Sequence, residues 1–176
     1  GIEMLTVNLE GELALITGGG TGIGYAIASA FVDAGASVVI VGRREDVLRD
    51  AAERLGPKVV PITHDVTDLD SAEALFDSIK TATGRAPSIL VNNAGQHMRG
   101  KLTENGVEQV EALFRIHVLA AMRLSELALK DMTLKKHGNI LFISSMSAYM
   151  GLQNVPGYSM AKSAIEGAVR QLAVEY

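Results

Sequence analysis

No cysteine occurs anywhere in the 176 residues. That removes disulfides and thiolate chemistry, and it suits a reducing compartment. No apolar run comes near the roughly 20 residues that a membrane span needs. The opening stretch GIEMLTVNLEG lacks the apolar segment of a secretory leader, so a soluble, cytoplasmic protein with no membrane partner is expected. An excess of positive charge is missing too. The net charge is −4, from 16 Lys and Arg against 20 Asp and Glu. The two signs are interspersed, which leaves no basic stripe for nucleic acid. His64, His97, His117 and His137 show no metal-ligand spacing, so no metal site is expected. Low-complexity segments and internal linkers are absent, and the length suits one domain, residues 1–176, with a real core. Aromatic residues are few, at 5% of the chain, with four tyrosines and no tryptophan. One tyrosine, Tyr158, stands in GYSMAKSA, a stretch otherwise cleared of bulk.

What is present alternates. Short apolar runs at 13–17, 37–41, 58–62, 88–92 and 139–144 are apolar on consecutive positions. Such strands are buried on both faces, as in a parallel sheet covered by helices. Helical patterns lie between them, near 23–34, 45–55, 69–83 and 105–133, with a last one from about 157. Asp68 and Asp70 are candidate N-terminal signals for the third helix. This alternation predicts right-handed βαβ units and an α/β, Rossmann-type doubly wound sheet. Ligands of such sheets bind beyond the carboxyl ends of the strands, at the switch point.

The stretch TGGGTGIG, Thr17 to Gly24, follows the first strand and opens the first helix. Glycines let the chain turn tightly and let phosphates approach peptide N–H groups at a helix N-terminus. The alternative is a glycine-rich turn that binds nothing, but strand, helix and βαβ context all favour a phosphate loop. No Lys-Ser/Thr pair follows, so this is not a Walker loop. At the other end of the chain, Tyr158 and Lys162 are four residues apart and share a helix face. A free phenol has a pKa near ~10, and bringing it to about 7 takes ~4 kcal/mol. A cation ~4 Å away supplies about that much at an effective dielectric near 20. Tyr158 could then donate a proton to a carbonyl oxygen, or take one from an alcohol. An amphipathic helix with a core Tyr and a solvated Lys is the bland alternative.

The T-G-x-x-x-G-x-G pattern resembles the cofactor loop of the short-chain dehydrogenase/reductase family. NNAG, Asn92 to Gly95, resembles that family's second signature, and YSMAK its Y-x-x-x-K active site. Ser145, thirteen residues before Tyr158, lies where the family places its catalytic serine. The resemblance runs from about Val7 to the end of the chain. It implies that Gly18, Thr21, Gly22, Ile23, Gly24, Asn92, Ala94 and Gly95 hold a nicotinamide dinucleotide, with Tyr158 and Lys162 also against it. It implies that Asp65 and Val66 flank the adenine ring, that Ser145 steadies the substrate oxygen, and that Lys162 holds the nicotinamide ribose. Gly42 stands where NAD-preferring members usually carry Asp, and Arg43 and Arg44 follow. Arginine suits a 2′-phosphate, so NADP(H) is expected over NAD(H). The competing reading has both arginines paired with Glu45 and Asp46 at a solvated helix start.

Two departures from the family pattern stand out. His117 takes the place of an Asn whose main-chain carbonyl holds a relay water. It is a candidate proton carrier itself, or a packed helix histidine. The chain also stops inside the last helix, where family members add about two strands and a segment over the substrate. The sequence is therefore expected to be incomplete at its C-terminus, with the strand at 139–144 an interior strand of the whole sheet. Val110, Leu113, Phe114, Ala120, Ala121, Leu124 and Leu127, with Ala161, Ala164, Ile165, Ala168 and Leu172, form stripes that the family uses to build dimers or tetramers. The resemblance implies an oxidoreductase acting on carbonyls or secondary alcohols, with 3-oxoacyl thioesters as the leading substrate class. A non-catalytic dinucleotide-binding redox sensor is the alternative.

Overall fold

Strands β1 (Leu13–Thr17), β2 (Ser37–Gly42), β3 (Val59–Thr63), β4 (Ile89–Asn92) and β5 (Asn139–Phe142) form one sheet of order β3-β2-β1-β4-β5. All four pairings are parallel. The computed structural model describes residues 6–176, so the first five residues of the opening stretch lie outside the described residues. Helices α1 (Gly22–Asp33), α2 (Glu45–Leu55), α3 (Ala72–Thr83), α4 (Leu102–Phe114), α5 (Ala120–Lys135) and α6 (Pro156–Glu175) complete the α/β, doubly wound arrangement. None of them is long and apolar enough to cross a membrane.

The strand alternation divides the core into two layers. Leu13, Leu15, Val39, Val41 and Leu90 point to the face covered by Leu75, Phe76, Ile79, Ala120, Leu124 and Ala128. Ala14, Ile16, Val38, Ile40, Ile89 and Val91 point to the other, under Ala28, Leu48, Ala51 and Ala52. This is why β1, β2 and β4 read as unbroken apolar runs: both faces are buried. The edge strands differ. In β3 and β5 exposed residues alternate with more buried ones. The run at 139–144 stands at one edge of the five described strands.

Two further boundaries correct the sequence reading. The helix expected from 69 begins as a 3₁₀ turn over Leu69–Ser71, and α3 proper starts at Ala72. Asp68 marks that start through its carbonyl, which accepts from Ser71 N (3.3 Å) and Oγ (3.0 Å), while its carboxylate caps nothing. The long helix expected over 105–133 starts earlier and is not continuous. Gly106 departs from helical geometry at φ 65°, and a π-helical turn at Arg115–Leu119 separates α4 from α5. The π turn puts His117 into the interior, where it is 6% exposed.

Leu113, Ala120, Ala121, Leu124, Ala161 and Ile165, expected to serve a subunit interface, are buried within the chain. α4 and α6 pack closely because Gly157 has no side chain. A Cβ there would stand 2.9 Å from Leu113 Cδ1 and 3.2 Å from Val110 Cα. The small residues of α6 thus serve helix packing, besides any room they leave for ligands.

Candidate active site

The turns after β1 and β4 meet at the carboxyl edge of the sheet, where the strand order reverses. Thr17, the last residue of β1, is buried, and its Oγ1 accepts from Asn93 N (3.0 Å) and Ala94 N (2.8 Å). Asn93 Nδ2 donates back to the carbonyls of Thr17 (3.1 Å) and Gly18 (3.2 Å). These bonds fasten the glycine turn to the NNAG segment. Sequence reasoning singled out Asn92 and passed over Asn93 and Thr17, although a polar side chain ending a buried strand was a readable signal. Gly18 sits at φ 64°, a left-handed value that favours glycine. Gly24 is required for a different reason: a Cβ there would lie 2.1 Å from Gly18 O. The first turn of α1 therefore rests directly on the glycine loop. Thr21, at the N-cap, makes no side-chain capping bond, so the first N–H groups of α1 lack a partner from that residue.

Beside this turn is a cavity of about 300 Å³. Gly18, Gly20, Thr21, Gly42, Arg43, Arg44, His64, Asp65, Val66, Ala94, Gly95 and Ile116 are among the residues that line it. Gly18, Thr21, Arg43, Arg44, Asp65, Val66, Ala94 and Gly95 are thus brought together. Gly22, Ile23, Gly24 and Asn92 are not in this lining; Ile23 is exposed, and Gly24 supports the loop from behind. Arg43 and Arg44 are exposed. Glu45, their expected partner, pairs instead with Arg49, and neither Arg43 nor Arg44 enters an ion pair among the described residues. Asp65 is held below the usual carboxylate range, chiefly by hydrogen bonds from the Thr67 hydroxyl (2.7 Å) and N–H (2.9 Å), with the Arg43 charge adding to them. His64 was not singled out from the sequence. Burial lowers its pKa, and its Nε2 is buried without a partner. His64 lines the cavity as a residue, and its buried Nε2 is one of the few polar atoms there without a partner.

Lys162 forms the centre of the second group. It is buried, its Nζ donates to the carbonyl of Ile143 at 2.6 Å, and burial lowers its pKa. Nζ lies 5.5 Å from the centroid of the Tyr158 ring, so the two residues share one space. Pro156, two residues before Tyr158, starts α6 and fixes its entry. Ser145 follows β5 and caps the 3₁₀ turn Met146–Ala148, its Oγ accepting from Ser147 N at 3.3 Å. Its own proton stays available, because a hydroxyl both accepts and donates.

His117 meets the Gln96 peptide with Nε2, which lies 3.1 Å from the N and 2.9 Å from the O. Nδ1 is buried without a partner. Its pKa falls from the ordinary 6.5 to about 4, first because of burial, with the charges of Lys162 and His97 adding to it. The imidazole is therefore neutral at neutral pH. It also packs edge-on to Tyr158, with ring centroids 5.3 Å apart at 86°. A small cavity of about 10 Å³, room for one water, is lined by His117, Lys162, Asn92 and Thr17, among others. Asn92 accordingly faces this inner cavity, its Nδ2 donating to Ser125 Oγ at 3.3 Å. The inner cavity and the 300 Å³ cavity share Val66, Ala94 and Ile116 as walls. Among the described residues, no group of His, Asp and Glu is arranged to hold a metal ion.

Residues 12–176 match the family model described as short chain dehydrogenase. The chain belongs to the short-chain dehydrogenase family. It is 32% identical over 169 residues to the 3-oxoacyl-acyl-carrier-protein reductase of Escherichia coli, covering 96% of this chain and 69% of that protein. It is 31% identical to an oxidoreductase of Caenorhabditis elegans, covering 96% of this chain and 56% of that one. Among solved structures, the L-sorbose reductase of Gluconobacter frateurii, complexed with NADPH and L-sorbose, superposes with a TM-score of 0.91 at 32% identity. That match covers 97% of this chain and 66% of the reductase. The chain thus spans a little over half to about two thirds of the length of these family members.

Proposed function

We propose that this short-chain dehydrogenase is an NADP(H)-dependent oxidoreductase acting between a carbonyl and a secondary alcohol, with Tyr158 as proton donor and acceptor. The observation that carries the reading is the buried Lys162, beside Tyr158 and bonded to the carbonyl of Ile143 just past β5, at the same carboxyl edge of the sheet as the glycine turn. Val66, Ala94 and Ile116 line both the cavity of the glycine turn and the small cavity at Lys162, so the two groups of residues are neighbours. The residues present fit a dinucleotide. Thr21 and the open N-terminus of α1 would receive the pyrophosphate. Asp65 and Val66 would border the adenine, and the unpaired Arg43 and Arg44 would receive a 2′-phosphate. When bound, the nicotinamide supplies or accepts the hydride.

The chain's own residues handle the proton and the charge. Lys162 Nζ lies 5.5 Å from the centroid of the Tyr158 ring, and a cation beside a phenol favours its ionised form. Lys162 has three N–H donors, of which Ile143 takes one. The others are free for a ribose hydroxyl and for a water in the inner cavity. Ser145 donates its proton to the substrate oxygen, on which negative charge develops. His117, neutral and with Nδ1 free, can receive that inner water, which makes it a candidate element of proton supply to Lys162. 3-Oxoacyl thioesters are the first substrates to try, because the E. coli relative carries that activity in its name. Exposed Val107 and Val169, on α4 and α6, are where pairing with a second copy is proposed.

Full-length protein, assayed with NADPH and NADH side by side on a panel of 3-oxoacyl thioesters and ketoses, tests the proposal. Turnover with NADPH favoured at least tenfold is expected. Equal use of both cofactors would refute the role given to Arg43. Binding of NADPH without turnover on any carbonyl would favour the non-catalytic alternative.

A further inference from the structure

His97 lies two residues beyond the NNAG segment, on the loop between β4 and α4, and nothing in the hydride-transfer scheme uses it. Its ring stacks on Tyr158, with centroids 4.3 Å apart and planes at 26°. The phenol is therefore covered on one face by an imidazole, met at its edge by His117, and approached by the Lys162 ammonium. The two histidines differ in what their nitrogens do. His117 is buried and engaged by Gln96. His97 is exposed and enters no side-chain hydrogen bond among the described residues. The loop that carries it is fixed on both sides. Gln96, its neighbour, is held by His117, and Gly100 N donates to Asn154 O at 2.9 Å, joining the loop to the segment before α6. Arg99 and Lys101 follow on the same loop, and neither enters an ion pair among the described residues. A rigid, solvent-facing polar ring lying flat on the proposed acid suits a ligand better than it suits the core.

We infer that His97 is a substrate-contacting, specificity-determining residue, one that hydrogen-bonds a second oxygen of the substrate lying one or two carbons from the reacting carbonyl. This rests on Tyr158 being the proton donor. A carbonyl oxygen at the Tyr158 hydroxyl places the adjoining atoms of the substrate beside the stacked imidazole. An alkyl group there leaves the imidazole unsatisfied and partly dehydrated. A hydroxyl, carboxylate or second carbonyl replaces the lost water. A site built in this way discriminates against the analogue that lacks the polar atom. Hydroxy ketones, 2-oxo acids and 3-oxoacyl compounds share this chemistry, whereas simple alkyl ketones do not.

The test uses two matched pairs, hydroxyacetone with acetone and ethyl acetoacetate with 2-hexanone, on full-length protein with NADPH. In the unmodified protein kcat/KM is expected to favour the oxygenated member by at least tenfold, the scale of one hydrogen bond. His97→Phe keeps a stacked ring and removes the polar nitrogens, and should bring that ratio close to one, mainly through KM. His97→Gln should restore part of it. A ratio unchanged in His97→Phe overturns the inference, as does an equal loss on both members of each pair. Absence of NADPH consumption by the unmodified protein on every probe would instead refute the hydride-transfer reading. The contact is then read from the His97 imidazole Cε1 proton, assigned by its loss in His97→Phe, during titration of the NADP⁺-saturated protein with hydroxyacetone. Movement of that resonance while those of His64 and His137 stay still supports the contact, and its immobility overturns it.

Discussion

Replacing His117 by Asn separates the cost of burying an imidazole from everything else that titrates in acid. In the fold its pKa is about 4 against the ordinary 6.5. Between those values the unfolded chain binds a proton that the native protein refuses, so stability falls as pH falls through this window and levels off below it. A difference of 2.5 units corresponds to about 3 kcal/mol in all, of which about 2 kcal/mol lies between about pH 7 and about pH 4.5. The near-complete burial of the side chain supports using most of that figure. Urea unfolding followed by circular dichroism at both pH values gives the change for each protein. Asp65, also depressed in the fold, loses stability in the same direction, but it does so in both proteins and cancels in the comparison. His117→Asn is expected to lose about 2 kcal/mol less on acidification than the unmodified protein. Coincident losses would show that His117 is not held neutral by burial and would refute the electrostatic account of the inner cavity.

Gly24→Ala should weaken NADPH binding by more than a hundredfold, measured by NADPH fluorescence, because its methyl would overlap the Gly18 carbonyl 2.1 Å away; affinity within a few-fold of the original would contradict the loop geometry. Arg43→Ala should lower the preference for NADPH over NADH by about 10- to 100-fold, the value of one or two charge-assisted hydrogen bonds, and an unchanged ratio of kcat/KM values would remove Arg43 from the site. Leu90, fully buried between the sheet and its helices, should cost about 2–5 kcal/mol on truncation to Ala, seen as a lowered urea midpoint, whereas Leu134→Ala at an exposed position should change little.

The central strands were legible because burial on both faces imposes unbroken apolar runs, and the glycine turn because its backbone demands leave a spacing in the sequence. The edge position of β3 went unread although Pro61, which has no N–H to give to a ladder, favours an edge strand. The break between α4 and α5 was hidden as well. A π turn adds one residue to a helix without altering its composition, so the pattern over 105–133 reads as continuous. Family spacing drew attention to His117, but its bond to the Gln96 peptide depends on a loop brought in from β4. His97 carried no local signal at all: its stacking on Tyr158 joins residues 61 positions apart. Asn93 and Thr17 were passed over because their hydrogen bonds serve the backbone of another turn rather than a recognisable motif.

The proposed hydride-transfer chemistry depends most on Tyr158 giving or taking the proton. Full-length protein and Tyr158→Phe, compared under saturating NADPH with a substrate that the unmodified protein reduces, test this directly. The expected result is NADPH affinity within a few-fold of the original and a kcat lowered at least a thousandfold, in keeping with loss of a positioned proton donor and its charge stabilisation. A Tyr158→Phe protein that retains a tenth or more of the original kcat would contradict it.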